Sequence, residues 1–134
     1  MINIVLDAMG GDNAPKSTVL GTIEALNKYD DISVNLIGRK EEISDLLSSN
    51  NFSSDRLLIT DTPNVITMED TPTNAIKEKK NSSMVVGLNM VADGNGDIFI
   101  SGGNTGALLA GATLIIRRAK GIKRSPLEIG RAHV

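Results

Sequence analysis

Short apolar runs alternate with stretches of helical apolar spacing along almost the whole chain, and this alternation restricts the fold more than any other feature. Ile2 to Leu6 is an apolar run ended by Asp7 and glycines, which predicts a buried strand. Asp12-Asn13-Ala14-Pro15 then supplies helix-start chemistry, a capping Asp or Asn with Pro near the first helical position. Val19, Ile23 and Leu26 follow at i, i+4 and i+7, so the spacing predicts a helix from about Pro15 to Lys28. Asp30-Asp31 turns the chain into a second strand at Val34 to Ile37. A second helix follows over Glu41 to Leu47, with Ile43, Leu46 and Leu47 on one face.

The pattern repeats beyond a polar loop at Asn50 to Ser54. Leu57 to Thr60 reads as a third strand. Pro63 to Thr73 reads as extended or irregular, and Pro72 opens a helix carrying Ala75 and Ile76. A further helix is expected over Ser82 to Ala92, with Met84, Leu88 and Val91 inward and Gly94 and Gly96 ending it. Asp97 to Ile100 is the next strand. Leu108, Leu109, Ala112, Ile115 and Ile116 then recur at helical spacing up to about Lys120, where Gly121 stops the helix. Strands alternating with helices in this way predict an α/β fold, a parallel sheet with helices on both faces.

Aromatic residues make up only 2% of the chain, so the core is built from Val, Ile, Leu, Met and Ala. The same scarcity, with a formal net charge of −2, argues against nucleic-acid recognition by base stacking or by a basic footprint. The absence of cysteine excludes disulfides, thiolate metal sites and a cysteine nucleophile within these residues. The opening MINIVLDAMGG lacks the basic and apolar regions of a signal peptide, and no apolar run reaches the roughly 20 residues that span a bilayer. A cytoplasmic protein is expected.

Two strand-to-helix junctions are glycine-rich, Asp7 to Pro15 (DAMGGDNAP) and Ser101 to Ala107 (SGGNTGA). In open α/β sheets ligands gather at the carboxyl ends of strands, where helix amino-termini present unpaired N–H groups that suit anions. Each loop also reads more plainly as a tight turn with a helix cap. Neither fits the ATP-binding GxxxxGK[ST] pattern or the dinucleotide fingerprint GxGxxG.

Single side chains carry similar alternatives. Asp7 and Asp12 flank Gly10-Gly11 and are able to bind a metal, act as a base or position a lysine. The plainer reading has Asp7 ending the strand and Asp12 capping the helix. Lys16, near the start of the first helix, either faces a bound anion or is solvated. Lys77-Glu78-Lys79-Lys80 reads as a solvated helix end. Arg117, Arg118, Lys120, Lys123 and Arg124 suit the carboxyl end of their helix, or help to dock an acidic carrier protein.

The end of the chain reads differently. Glu128 to Val134 spells EIGRAHV, the string obtained when a common sequencing adapter is translated in one frame. Residues 128–134 are therefore expected to be a non-native tail, with 1–127 the amino-terminal part of an α/β domain. His133, the only histidine, falls in that tail.

Taken together, these residues resemble the PlsX family of phosphate acyltransferases. The family opening DAMGGDxAP is matched by Asp7 to Pro15, and KKxSSMxxG by Lys79 to Gly87. SAGNTGALxA is closely matched by Ser101 to Ala110, and KGIxR by Lys120 to Arg124. The chain departs from the pattern at Gly102, where the family has Ala, at Asn13, where other members often carry His, and at Ser125 between Arg124 and Pro126. The family's second half is missing.

The resemblance implies a Rossmann-like fold akin to phosphotransacetylases and isopropylmalate-dehydrogenase-like enzymes. It implies a homodimer when full-length, peripheral membrane association through the missing half, and no organic cofactor or metal. The implied reaction converts acyl-carrier-protein thioester and inorganic phosphate to acyl phosphate and free carrier protein, in bacterial phospholipid synthesis. On this reading Asn104, Lys16 and Asp7 are the candidate catalytic residues. Gly10, Gly11, Gly103, Asn104, Thr105 and Gly106 are the candidate phosphate-binding ones, with Gly10-Gly11 and Lys16 on the wall opposite Gly103 to Gly106. The fragment is expected to be inactive without the rest. The alternatives are a phosphate acetyltransferase-like enzyme using acyl-CoA and a non-catalytic anion-binding module.

Overall fold

A computed structural model describes residues 1–116. The basic cluster from Arg117 to Arg124, the helix stop at Gly121 and the tail with His133 lie outside the described residues. The elements run β1 (Ile2–Asp7), α1 (Lys16–Lys28), β2 (Ile32–Gly38), α2 (Lys40–Ser49), β3 (Leu57–Asp61), α3 (Pro72–Glu78), α4 (Ser83–Ala92), β4 (Ile98–Ile100) and α5 (Thr105–Gly111). The chain leaves α5 through a π-helical turn, Ala112–Ile116.

The four strands form one parallel sheet in the order β3-β2-β1-β4. Ile4 stands opposite Val34 on one side and Ile98 on the other, and Leu6 opposite Leu36 and Ile100. Because strand side chains alternate between faces, this register sends Ile4, Leu6, Val34 and Leu36 to one side together. There they pack with Val19 and Leu26 of α1 and with Ile43 and Leu47 of α2. Phe99 belongs to the opposite face, where Ile76 of α3, Met84, Val85 and Leu88 of α4, and Ala107 of α5 form a second core. The helices therefore cover both faces, as the alternation predicts.

Local chemistry explains the element ends. Pro72 takes the first turn of α3, where no intrahelical N–H is needed. Ser82 caps α4, its Oγ accepting from Val85 N–H at 3.2 Å. Helix α1 is closed from a distance: the Arg56 guanidinium donates to the carbonyls of Leu26, Tyr29 and Ile32 at 2.7, 2.7 and 2.9 Å. That fork satisfies carbonyls the helix end would otherwise leave without partners. Midway along α4, Gly87 lets the helix lie directly on β4, since a Cβ there would sit 2.2 Å from the Phe99 ring.

Two expectations are corrected. Asp12 does not cap α1, which has no side-chain cap. Residues 11–14 form a turn closed by Ala14 N–H to Gly11 carbonyl at 3.4 Å, so Asp12 is separated from the helix. The Asn13 main-chain carbonyl instead accepts Ser17 N–H at 3.0 Å. Nor is Lys79 a freely solvated helix end. Its Nζ donates to Asp70 Oδ2 at 2.7 Å and to the Val65 carbonyl at 3.0 Å, because α3 folds back beside the segment that precedes it.

Candidate functional site

The strand order places β1 beside β4, although more than 90 residues separate Leu6 from its partner Ile100. Both glycine-rich loops therefore leave the same end of the sheet, and they touch. A Cβ on Gly10 would lie 2.8 Å from Ser101 Oγ, 2.9 Å from Asp7 Oδ2 and 2.9 Å from Gly103 N, so only glycine permits this approach. Gly11 follows at φ +110°, a left-handed conformation that turns the chain away from the sheet.

Asp7 lies beneath this contact and is only 3% exposed. Its Oδ1 accepts from Ser83 Oγ at 2.5 Å and Met9 N–H at 3.1 Å, and its Oδ2 accepts from Ser101 Oγ at 2.8 Å. Burial pushes the Asp7 carboxyl above its ordinary value, and the hydrogen bonds from Ser83, Ser101 and the main chain oppose that shift. Ser101 Oγ also accepts Gly103 N–H at 3.1 Å, which fastens the second loop to the first.

Asn104 is buried and its side chain is engaged on both sides. Its Oδ1 caps α5 by accepting Ala107 N–H at 3.0 Å, while its Nδ2 donates to the carbonyls of Thr67 and Asp70, both at 3.1 Å. These two carbonyls belong to a strap, residues 65–70, that crosses in front of the loops. Asp70 Oδ2 closes the strap by accepting Thr67 N–H at 2.8 Å, and Lys79 anchors it from behind. The Lys79 ammonium holds the Asp70 carboxyl below the usual carboxylate range.

Between strap and loops lies a half-open cleft of about 160 Å³ lined by Met9, Gly11, Asp12, Val65, Ile66, Thr67, Met68 and Gly103. Of the residues singled out from the sequence, Gly11, Asp12 and Gly103 reach the cleft directly. Gly10 forms the contact beneath it, and Asp7 and Asn104 support its two walls from behind. Thr105 and Gly106 are exposed at the start of α5, with Gly106 against Pro72, where a Cβ would lie 2.7 Å from Cγ. Lys16 is exposed at the start of α1 and is not among the lining residues. Sequence reasoning assigned no role to Ser83 or to the strap. The paired serines after Lys79-Lys80-Asn81 were visible as a motif, but their partner was not.

The loop side of the lining combines Gly11 and Gly103 with Met9 and Asp12, and the strap side is mostly apolar, with Val65, Ile66 and Met68 beside Thr67. Such a surface suits a ligand with a polar reacting end and an apolar remainder. Among the described residues no three His, Cys, Asp or Glu side chains gather to hold a metal, and no helix is long and apolar enough to cross a membrane.

Comparison with known proteins gives a consistent result. The model of a family described as "Fatty acid synthesis protein" matches residues 2–131. The phosphate acyltransferase of Acetivibrio thermocellus is 47% identical over 121 residues, covering 90% of this chain and 36% of that protein. The phosphate acyltransferase of Clostridium beijerinckii is 44% identical over 126 residues, covering 94% of this chain and 38% of that protein. That of Clostridioides difficile is 46% identical over 123 residues, with coverage of 92% and 36%. The chain thus spans a little over a third of the length of the curated relatives it matches, all of them transferases by name.

Proposed function

Because this chain belongs to the fatty acid synthesis protein family, we propose that the full-length protein carrying it converts an acyl-carrier-protein thioester and inorganic phosphate to acyl phosphate and free carrier protein. The observation that carries this reading is the contact of the two glycine loops at Gly10 and Gly103, which closes one wall of a cleft whose other wall is mostly apolar. Glycine and main-chain groups accept a compact anion without steric conflict, and Met9, Val65 and Met68 offer contact to an acyl chain.

In the proposed reaction a phosphate oxygen attacks the thioester carbonyl carbon. Collapse of the tetrahedral adduct breaks the C–S bond, and the departing sulfur takes up the proton carried by phosphate, leaving as the carrier thiol. This segment contains no cysteine, so no acyl-cysteine forms on it. Its contribution is to hold phosphate beside the carbonyl and to direct main-chain dipoles at the developing oxyanion. Gly11 and Gly103 are the groups nearest that task, and Lys16 adds positive charge at the mouth of the first loop. Asn104 acts by holding the strap, and Asp7 by holding the loops. The product, a reactive acyl phosphate, is suited to acylating the hydroxyl of a phospholipid precursor.

The test is to supply the full-length protein with phosphate and either acyl-carrier protein or acyl-CoA, trapping acyl phosphate with hydroxylamine and titrating released thiol. Acyl hydroxamate formed from acyl-carrier protein supports the reading. Product from acyl-CoA alone moves the assignment to a phosphate acetyltransferase-like enzyme, and phosphate binding without transfer moves it to a non-catalytic module.

A further inference from the structure

We propose that Asp7, Ser83 and Ser101 form a largely buried positioning network that sets the spacing of the two glycine loops whose contact forms the phosphate-receiving wall, with Ser101 the residue that couples it to phosphate binding. This rests on the acyl-phosphate reading above. None of the three side chains lines the cleft, yet a cleft-lining residue of each loop hangs from the Asp7 carboxylate. Met9 of the first loop donates its N–H directly to Oδ1 at 3.1 Å. Gly103 of the second loop is held through one intermediary: its N–H donates to Ser101 Oγ at 3.1 Å, and Ser101 donates its single hydroxyl proton to Oδ2 at 2.8 Å.

The arrangement joins the end of β1, the start of α4 and the end of β4. Ser83 also donates to Oδ1, at 2.5 Å beside Met9 N–H, so both oxygens of the buried acid have donors. Hydrogen bonds to a carboxylate are short and strong, and in a buried setting a missing partner is costly. The two loops therefore share one anchor, and loss of the Ser101 hydroxyl frees the Gly103 amide while leaving Met9 tied. Such a change displaces one loop relative to the other without removing any group that contacts substrate.

The decisive experiment compares Ser101→Ala, Ser101→Thr and Ser83→Ala in the full-length enzyme, measuring KM for phosphate and for the acyl thioester separately. Ser101→Ala is expected to raise the phosphate KM roughly tenfold with a much smaller change in the thioester KM, as expected when a binding wall is misplaced. Ser101→Thr, which keeps the hydroxyl, restores most of the loss. Ser83→Ala, which frees no cleft-lining amide, has the smaller effect on phosphate. Should Ser101→Ala fail to fold, Ser101→Cys keeps the volume with a weaker donor and is expected to show the same split. A phosphate KM unchanged in the folded Ser101 variant, or phosphate and thioester KM rising together, overturns the proposal. If the unmodified enzyme makes no acyl phosphate, the reading beneath it fails as well, and that control separates the two failures.

Discussion

Ser101 Oγ lies 2.8 Å from Asp7 Oδ2, although the two residues are 94 positions apart in the chain. The pairing exists because β4 docks against β1 in parallel, bringing the ends of the first and last described strands to the same point. It turns a strand-ending aspartate into a shared anchor for both glycine loops. The carboxylate is paid for by three donors, and burial nonetheless raises its affinity for a proton.

That raised affinity has a defined sign in the pH dependence of stability. Between the ordinary carboxylate value of 3.8 and the raised folded value, the native chain binds more protons at Asp7 than the unfolded chain does. The Asp7 contribution to stability therefore falls as pH rises through that window and adds no slope above it. Urea unfolding of wild type and Asp7→Asn across the acid range is expected to show this extra decline only in the wild type. Parallel curves would refute it.

Asn104→Ala removes a helix cap and two hydrogen bonds to the strap at once. The cap is worth about 1 kcal/mol, and the carbonyls of Thr67 and Asp70 lose their donor. The expected result is a stability loss of about 1–3 kcal/mol, with faster amide exchange concentrated in residues 65–70. Uniform exchange throughout the chain would show that Asn104 does not hold the strap.

Gly87→Ala tests the packing of α4 on the sheet. Alanine favours a helix over glycine by about 1 kcal/mol, but the new Cβ would sit 2.2 Å from the Phe99 ring. Overpacking of that kind costs about 1–3 kcal/mol, so a net destabilisation is expected by chemical denaturation. Phe99→Leu in the same chain is expected to recover much of it. A more stable Gly87→Ala chain would mean that the ring moves aside freely.

Ile98 and Ile100 are 45% and 47% exposed on β4, which pairs only with β1 among the described residues. An apolar strand at a sheet edge invites association with another chain. The 134-residue chain is expected to self-associate in sedimentation velocity experiments, and Ile98→Lys with Ile100→Lys to shift it toward monomer. Monomeric behaviour of the unmodified chain at high concentration would remove the prediction.

Strand and helix placement was legible from residue order because periodicity is a local property: Val19, Ile23 and Leu26 mark one helix face whatever lies against it. Ile2 to Leu6, the glycine loops and the start of α3 at Pro72 were legible for the same reason. The failures were of another kind. Asp12 had the chemistry of a cap, but the turn at Gly11 carried it away from α1, and Lys79 looked solvated until α3 folded back on the strap. The partners of Asp7 and Asn104 depend on which strands become neighbours, and that choice is made by burial of both sheet faces between α1 and α2 on one side and α3, α4 and α5 on the other. Residue order thus specified which groups the two loops contain. Only the packed sheet decided that Gly11 and Gly103 line the cleft while Asp7 and Asn104 support it from behind.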